Sequence, residues 1–357
     1  MTGNPTSDTA HRMINDDQST VADLFRHACI SHPAMQALRA MAMRRAEAKP
    51  GLFTHLKPRT KGASRTERGT TTTTKTVDPM EIVSREIKLH SLPRVIIELQ
   101  RAIDNPASSA EDLARIISLD PGLSVYLLRI ANSALYSFPS RIDTVSRAVA
   151  LLGTRQVSVL ALGVSVLKSY SQRPVQSLDM EGFWRHSIAC AILARAIAAR
   201  SGRSNGERFF VAGLLHDLGR LAIFEAIPDL AREVLERMQS ENMQFVQAEN
   251  KVLGFDHARL GAILLRKWNF PLNLAMAVLY HHEPSKGDPH GEAAVVHLAD
   301  ILSKVLGYGG TPVFSVQPLD LVAWESLGLA AQDLAGLETD LDAQFDETLV
   351  MLGWPAS

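Results

Sequence analysis

The residues of this chain whose types could do chemistry together form one ordered series of histidines and aspartates. Each lies on or beside a segment with the hydrophobic pattern of a helix. The series is His186, His216, Asp217, His257, His281, His282 and Asp300. Imidazoles and carboxylates are ligands for Zn, Mn and Fe, and a shared carboxylate can bridge two ions about 3.5–4 Å apart. The series therefore predicts a site for one or two divalent metal ions, either a working site or the remains of one.

The pair His216–Asp217 stands in an apolar stretch, FVAGLLHDLGRLAIF, which predicts one helix over about 207–226. Burying an imidazole beside a carboxylate is costly unless each has a partner, and a shared metal ion would serve both. Neighbouring helix positions point about 100° apart, so both side chains reach one ion only if it lies beside the shoulder of the helix. Core packing explains Asp217 least well of the series.

The other members are expected on helix faces or at helix ends. His186 lies in a core-like helix, FWRHSIACAILA, and His257 begins a helix at GFDHARLG. The pair His281–His282 ends a helix at HHEP, where adjacent imidazoles can point to two ions. In VVHLADIL, His297 and Asp300 share a face at i and i+3. We expect Asp300 to be the ligand and His297 to be a hydrogen-bonding partner behind the ligands.

Composition is that of an ordinary globular protein, with 46% hydrophobic residues, 21% charged residues and a net charge of −1. No apolar run reaches the roughly 18 residues of a membrane span, and the N-terminus has no signal-peptide pattern. Cys29 and Cys190 alone make no disulfide framework, which fits a reducing compartment. The sequence has no G-x-G-x-x-G or P-loop motif. The near-zero charge gives no reason to expect nucleic acid as a partner. We therefore expect a cytoplasmic protein without a membrane span.

The pattern along the chain predicts an all-α protein, since convincing strand segments of period two are absent. We expect four segments: a basic arm over 1–77, a first helical half over 78–177, a second helical half over 178–310 that carries the histidine and aspartate series, and an acidic helical extension over 311–357. A cleft between the two halves is where a ligand or a partner helix would bind.

The arm over 1–77 holds 12 Lys/Arg and 6 Asp/Glu, a net of +6. One or two short helices are expected over 18–48, whereas 49–76 is polar, basic and rich in threonine. We therefore expect a largely flexible arm, with the compact part starting near Val77. Such an arm is either a solubilising tail or a contact for anionic partners.

Several local signals set helix ends and burial in the first half. Ser108 with Glu111 fits a capping box, and Asp120–Pro121 fits an N-cap followed by proline at the first helical position. Gly153 fits a C-cap. The helix over 154–170 is apolar on nearly all sides and should be deeply buried.

The histidine and aspartate series resembles the HD superfamily of metal-dependent phosphohydrolases over about residues 178–306. The resemblance implies a first metal ion bound by His186, His216, Asp217 and Asp300. It implies a second ion that shares Asp217 and is bound by His257, His281 and His282. In that superfamily the ions activate a water molecule that attacks a phosphoester or phosphodiester.

A longer match, over about residues 87–310, resembles the HDOD family, the HD-related output domains of bacterial signal transduction. It is carried by LPRVIIELQRAIDNP, LARIISLDPGLSVYLLRIANSALYSFPSRIDTVSRAVALLGTRQVSVLAL, FWRHS, AGLLHDLGRL, LGFDHARLGAILLRKWNFP, HHEP and VHLAD. The family implies a regulatory output module that acts through other signalling proteins. Many of its members have lost metal ligands, whereas this chain keeps the full set.

Two departures from the catalytic relatives bear on activity. The phosphodiesterases of cyclic di-GMP carry a GYP motif shortly after the double histidine, where this chain has SKGDPHGE, and its Gly307–Tyr308–Gly309 comes after Asp300. The lysine that usually contacts phosphate after HDxG is Arg220 here, which is longer and differs in geometry.

Two functions therefore stay open. One is a regulatory output module, with or without bound metal. The other is a binuclear Fe, Mn or Zn phosphohydrolase acting on a nucleotide or a cyclic dinucleotide, with Asp217 and Arg220 as the candidate catalytic residues.

Overall fold

Helices make up the fold in the part of the chain that the computed structural model describes. The described residues are 7–53, 77–89, 94–105, 107–133, 136, 138–171, 174–175, 178–288, 290–309, 315–352 and 354. No strand occurs among these residues, which confirms the all-α class. None of the described helices is long and apolar enough to cross a membrane.

In chain order the helices are α1 (Ser7–Leu24), α2 (Pro33–Ala48), α3 (Pro79–Leu89), α4 (Arg94–Asp104), α5 (Ala110–Ser118), α6 (Pro121–Ala131), α7 (Val145–Leu152), α8 (Thr154–Ser171), α9 (Met180–Arg200), α10 (Gly206–Leu215), α11 (Leu218–Ala226), α12 (Pro228–Ser240), α13 (Phe245–Leu253), α14 (His257–Lys267), α15 (Leu272–Leu279), α16 (Glu292–Val305), α17 (Leu321–Ser326) and α18 (Asp333–Met351), with a 3₁₀ turn at Pro284–Lys286.

Helix α9 forms the centre of the second half, and α10, α16 and α18 pack around it. Its middle is built largely from small side chains, which lets α10 approach closely. A Cβ placed on Gly213 of α10 would lie 2.7 Å from the carbonyl oxygen of Cys190 and 2.8 Å from the Cα of Ala191. The two helices therefore meet backbone to backbone, and this contact fixes α9, which carries His186, against α10, which leads to His216.

Helix α8 is buried along most of its length, as its apolar sequence predicts. It packs on α4 and α6 of the first half and on α10 of the second, and one hydrophobic core runs through both halves. Helix α3 crosses over to pack on α11 and α14. A boundary between the halves near residue 177 stays a prediction, because the core is continuous there.

The expectation of a largely flexible arm before Val77 is corrected for the residues up to Phe53. Helices α1 and α2 pack on each other, and α2 also packs on α16 and α18. Leu24, Leu38 and Phe53 are buried, and Asp17 accepts hydrogen bonds from the backbone N–H groups of Gly51 (2.6 Å) and Phe53 (3.1 Å). The helical spacing of the apolar residues could be read from the sequence, but the distant helices that bury them, α16 and α18, could not be predicted. The expected linker over 54–76 lies outside the described residues.

The local signals are confirmed with one shift. Asp120 caps α6 by accepting the N–H of Leu123 at 2.9 Å, and Gly153 ends α7 with φ at 90°. The capping box of α5 is formed one residue later than predicted, by Ser109 and Asp112. Both candidate pairs share the i, i+3 spacing, and the structure selects the pair that starts at Ser109.

We predict that a side chain at Gly219 separates α11 from α14. A Cβ there would lie 2.0 Å from the carbonyl oxygen of His257 and 2.7 Å from the backbone nitrogen of Gly261. Because both neighbours are backbone atoms, Gly219→Ala should lower the free energy of unfolding by about 3 kcal/mol or more. Gly122→Ala is the control, since a Cβ there meets chiefly the flexible end of Lys168. Urea denaturation measures both, and equal losses would contradict the close approach.

Candidate metal centre

The structure brings all seven predicted ligands into one cluster, which we call the ligand cluster. It lies among α9, α14, α16, the junction of α10 with α11 and the end of α15. Its members are His186, His216, Asp217, His257, His281, His282 and Asp300. All are buried except His282, which is half-buried. The sequence series is therefore one site in space.

His216 and Asp217 stand between two helices, and the expectation of one helix over 207–226 is corrected. Helix α10 ends at Leu215, α11 begins at Leu218, and Asp217 has φ −95° and ψ 8°. The close approaches of Gly213 to α9 and of Gly219 to α14 hold the two helices on different neighbours. The turn lets both side chains point into the cluster, whereas adjacent positions of one helix would point about 100° apart.

One group of ligand atoms belongs to His186, His216 and Asp300. The Oδ1 of Asp300 lies 3.1 Å from the Nε2 of His186 and 3.6 Å from the Nε2 of His216. The two Nε2 atoms are 3.3 Å apart. Two ligands at about 2.1 Å from one ion lie about 3.0–3.4 Å apart at octahedral or tetrahedral angles. The group has the spacing of a single coordination sphere.

A second group joins His257, His281 and His282. The Nε2 atoms of His257 and His282 are 2.9 Å apart, and the Oδ1 of Asp217 lies 3.1 Å from the Nε2 of His257. The other oxygen of Asp217, Oδ2, lies 3.5 Å from the Nε2 of His216 in the first group. Asp217 therefore occupies a bridging position, with one oxygen toward each group.

The five histidines of the cluster are held in one orientation, because each uses Nδ1 to bond away from the centre. The acceptors of the Nδ1–H groups are Tyr308 O for His186 (2.9 Å), Gly213 O for His216 (2.8 Å), Glu249 Oε2 for His257 (2.6 Å), Val278 O for His281 (2.6 Å) and Gln317 Oε1 for His282 (2.5 Å). A neutral imidazole that donates from Nδ1 carries its lone pair on Nε2. All five lone pairs then face inward, as metal ligation requires.

Four atoms of the ligand cluster form no hydrogen bond among the described residues: Nε2 of His281, Oδ1 of Asp300 and both carboxylate oxygens of Asp217. A buried acceptor without a donor costs free energy, and a cation at the centre would satisfy Nε2 of His281 and the inward oxygens of the two aspartates. The donor set, its spacing and these atoms fit a divalent metal. Imidazole and carboxylate together suit Fe, Mn or Zn and do not select among them.

Two buried cations stand behind the carboxylates of the cluster. Arg220 Nη1 lies 2.8 Å from Asp217 Oδ2, and Lys304 Nζ lies 2.7 Å from Asp300 Oδ2. Burial alone would raise the pKa of Asp300, but the ammonium of Lys304 holds it well below its ordinary value. Burial would likewise raise the pKa of Asp217, but the charges of Arg220 and His216 hold it well below its ordinary value. Both aspartates are therefore ionised and ready to bind a cation.

The histidines divide into two electrostatic classes. Burial lowers the pKa of His257, but the carboxylates of Glu249 and Asp217 outweigh it and raise the pKa to about 9. Burial would also lower the pKa of His216, but the carboxylate of Asp217 outweighs it and the pKa is raised well above its ordinary value. Burial, together with neighbouring imidazoles, lowers the pKa of His281 and His282 well below the ordinary value. Without a metal, protons on His216 and His257 therefore offset part of the carboxylate charge.

His297 lies behind the ligands, as expected, but its partner differs from the one its spacing suggests. It donates from Nδ1 to the carbonyl oxygen of His281 (2.8 Å) and accepts the N–H of Asp320 at Nε2 (3.0 Å). It therefore holds the backbone of a ligand, and the side chain of Asp300 is held by Lys304 instead.

Three residues around the cluster were missed in the sequence. Glu249 lies on the apolar face of α13, four residues after Phe245, and this placement was a readable signal. Lys304 follows Asp300 at i+4 on α16, which was also readable. Gln317 accepts a hydrogen bond from His282, which lies 35 positions earlier in the chain. No local sequence pattern indicates such a contact.

A cavity of about 760 Å³ opens beside the ligand cluster. Its lining includes Arg220, Phe245, His282, Lys286, Lys304 and Gln317. The guanidinium of Arg220 lies over the ring of Phe245, 4.9 Å from its centroid. The cavity thus meets the cluster at His282 and presents basic side chains there.

A larger cavity, of about 1240 Å³, lies where the start of α8 meets the loop before α10 and α15. The cleft expected between the halves stays a prediction, because most residues that line this cavity belong to the second half. Its lining includes Arg155, Gln156, Arg208, Leu272, Met276 and Tyr280. Leu272 is 60% exposed and Met276 is 39% exposed, so this cavity has an apolar rim on α15.

Comparison with protein families identifies one family. A family model described as the HDOD domain matches residues 89–284, more than half of the chain. An uncharacterized protein of Treponema pallidum (strain Nichols) is 29% identical over 204 residues, which are 56% of this chain and 39% of that protein. The chain thus spans about two fifths of the length of this curated relative.

Solved structures share the fold. An HDOD domain protein of unknown function from Geobacter sulfurreducens has a TM-score of 0.55 at 22% identity, covering 74% of this chain and 98% of its own. A protein from Marinobacter aquaeolei VT8, described as a candidate signal transduction protein, has a TM-score of 0.58 at 22% identity, covering 77% of this chain and 64% of its own. A candidate phosphohydrolase from Shewanella amazonensis SB2B has a TM-score of 0.52 at 24% identity, covering 73% of this chain and 98% of its own. At these identities the likeness concerns the fold alone.

We predict that the metal-free protein is most stable near pH 6.5. His257 and His216 have raised pKa values, so their contribution is full below about pH 6.5. The contribution of His257 is lost as the pH rises toward 9, and that of His216 is lost as the pH rises through its own raised pKa. His281 and His282 have lowered pKa values, so their contribution is full above about pH 6.5 and is lost as the pH falls. His257 alone should account for roughly 3 kcal/mol.

Urea denaturation in chelator, from about pH 5 to about pH 9.5, measures this profile. Glu249→Gln removes the carboxylate that raises the pKa of His257, so it should flatten the alkaline side and leave the acidic side in place. A wild-type profile without an alkaline decline would contradict the assignment of a raised pKa to His257.

Proposed function

Because this chain belongs to the HDOD family, we propose that it is a regulatory output protein that holds divalent metal in its ligand cluster and acts by binding other signalling proteins. The observation that carries the metal part is the inward convergence of five imidazole Nε2 atoms and two ionised carboxylates, each imidazole fixed by an outward bond from Nδ1. One ion would be held by His186, His216, Asp217 and Asp300. A second would share Asp217 and be held by His257, His281 and His282.

The two buried cations favour a structural or regulatory metal over a catalytic one. Arg220 is engaged with Asp217 and lies against Phe245, and Lys304 is engaged with Asp300. Each therefore holds a carboxylate of the cluster and is less able to add its charge to that of a metal ion at a phosphate. Arg220 stands where the catalytic relatives have lysine, and the GYP motif is absent from the sequence.

The larger cavity supports the partner-binding part. Its rim on α15 exposes Leu272 and Met276, four residues apart on one face of the helix. Arg155, on the other side, is exposed. An apolar stripe beside a basic residue suits an amphipathic helix with acidic flanks, of the kind a signalling partner could offer.

A second candidate function is a binuclear phosphohydrolase acting on a nucleotide or cyclic dinucleotide. The observation that favours it is the cavity of about 760 Å³ at the exposed edge of His282, with Arg220 and Lys304 in its wall. When bound, the metal would supply Lewis acidity and an activated water. In this candidate Asp217 and Arg220 would orient the site, and Lys304 would hold Asp300 ionised.

We predict that full-length protein purified without chelator carries up to two Fe, Mn or Zn ions per chain, and that Asp217→Asn removes them. The substitution takes away the bridging charge while keeping the size of the side chain, so affinity should fall at least about 100-fold. Asp229→Asn, at an exposed aspartate of α12, is the matched control. Elemental analysis gives the metal content.

Melting temperatures with and without added metal give the linkage between metal and fold. Metal should raise the melting temperature of the wild type and of Asp229→Asn but not that of Asp217→Asn. Protein that takes up no metal on reconstitution would contradict the metal part of the proposal and leave partner binding to be tested alone.

We predict no hydrolysis of cyclic di-GMP or of a chromogenic phosphodiester by metal-loaded wild type above the rate of Asp217→Asn. The reason is that both basic side chains beside the cluster are held by its carboxylates. Product release measured by chromatography checks this. Turnover that requires metal and disappears in Asp217→Asn would favour the second candidate and overturn the first.

A further inference from the structure

We propose that the N-terminal helical pair, α1 and α2, is a working part of the metal centre, and that Arg45 is a positioning residue for His186. This inference rests on the proposed metal binding. The pair acts through the residues that join α16 to α17, which we call the connecting segment (306–320, of which 306–309 and 315–320 are described). Neither the pair nor this segment lies within the 89–284 span of the HDOD model.

Arg45 of α2 is buried and joins three parts of the chain. Its Nε donates to the carbonyl oxygen of Leu306 at 2.9 Å, and its Nη2 lies 3.3 Å from the hydroxyl of Tyr308. The other side of the guanidinium forms a two-bond pair with Asp342 of α18 (2.6 and 2.8 Å) and meets Glu338 at 3.1 Å. A buried arginine paired in this way fixes the backbone of the connecting segment.

The same piece of backbone orients His186. The carbonyl oxygen of Tyr308 accepts the Nδ1–H of His186 at 2.9 Å. Ser303 Oγ also lies near this nitrogen, at 3.1 Å, and donates its own hydrogen to the carbonyl of Asp300. Arg45 hydrogen-bonds the carbonyl oxygen of Leu306, two residues before Tyr308, and so fixes the backbone that holds the Tyr308 carbonyl in place. The orientation of the first-group ligand depends on α2.

The pair also reaches the second group of ligands. The carbonyl oxygen of Leu24, the last residue of α1, accepts the N–H of Val316 at 2.9 Å. The next residue, Gln317, accepts the Nδ1–H of His282 at 2.5 Å. One histidine of each group therefore takes its orientation from the connecting segment, and α1 and α2 hold that segment at two points.

Packing and capping make the pair a firm support. Leu52, after α2, lies against Gly307, where φ is +83° and a Cβ would meet the Leu52 side chain at 2.7 Å. Asp17 of α1 binds the backbone of Gly51 and Phe53 and so closes the turn after α2 onto α1. Movement of the pair would move the anchors of His186 and His282 together. A partner that engages α1 and α2 would therefore change metal affinity at both groups.

The test compares Arg45→Met with Arg44→Met in the full chain. Arg44 is the exposed neighbour on the same helix and is the matched control. Zn²⁺ and Mn²⁺ titrations against a competing chelator give the affinity of each binding step. Arg45→Met should weaken one step by about 10- to 100-fold, as loss of an outer partner of a ligand does. Arg44→Met should leave both steps within about threefold.

A second readout does not depend on metal. In metal-free protein with ¹⁵N-labelled histidine, Arg45→Met should shift the tautomer balance of His186 and speed exchange of its Nδ1 proton. His216, whose Nδ1–H bonds to Gly213 within its own turn, should not change. If Arg45→Met does not fold, Asp342→Asn replaces it, since Asp342 is 40% exposed and is the main outer anchor of Arg45.

The outcomes separate this inference from the proposed function. Wild-type protein that binds metal, with unchanged affinities and an unchanged His186 signal in Arg45→Met, overturns the coupling and leaves the metal proposal standing. Wild-type protein that binds no metal overturns the metal proposal, and the His186 signal then decides whether Arg45 positions that ring. A uniform weakening of both steps in Arg45→Met and Arg44→Met alike would also overturn the specific role of Arg45.

Discussion

Two ionised aspartates buried among imidazoles are the constraint on which the rest of this structure depends. Asp217 and Asp300 are almost fully removed from water, and a buried charge is tolerated only where opposite charge and hydrogen bonds surround it. The chain meets this demand with Arg220 and Lys304 at one oxygen of each aspartate and with histidine nitrogens around both carboxylates. The helix ends, the close glycine contacts and the outward bonds of the histidines all serve to bring these groups together.

The arrangement also explains why the centre draws on so many separate elements. An imidazole that must present Nε2 inward needs an acceptor for Nδ1 on its outer side. Two of the five acceptors lie one turn back in the same helix region, at Gly213 and Val278, and so are local. The other three, at Tyr308, Glu249 and Gln317, come from elsewhere in the chain. The local hydrogen bonds to Gly213 and Val278 can form as soon as their turns form, whereas the hydrogen bonds to Tyr308, Glu249 and Gln317 require the complete fold.

This difference sets how much could be predicted from the sequence. The all-α class and most helices could be predicted because hydrophobic period and caps are local. Residue type and family resemblance indicated the seven candidate ligands, which the fold brings into one cluster. The break at His216–Asp217 could not be predicted, because it results from α10 and α11 packing on different helices at Gly213 and Gly219. The packing of α2 against α16 and α18 could not be predicted from the sequence either, because Arg45 contacts partners about 260 to 300 positions away.

The balance of charge then distinguishes the two functions physically. Each aspartate pairs one oxygen with a buried cation, so a metal ion at the centre would compete with Arg220 and Lys304 for the same carboxylate charge. Such an ion would bind less tightly than one that meets free carboxylates, and its affinity would respond to small shifts of the surrounding side chains. A hydrolase needs a centre that stays loaded through turnover. A regulatory centre would gain from an affinity that a contact at α1 and α2 could change through Tyr308 and Gln317. The buried charges of Arg220 and Lys304 would therefore suit a regulatory metal centre better than a catalytic one.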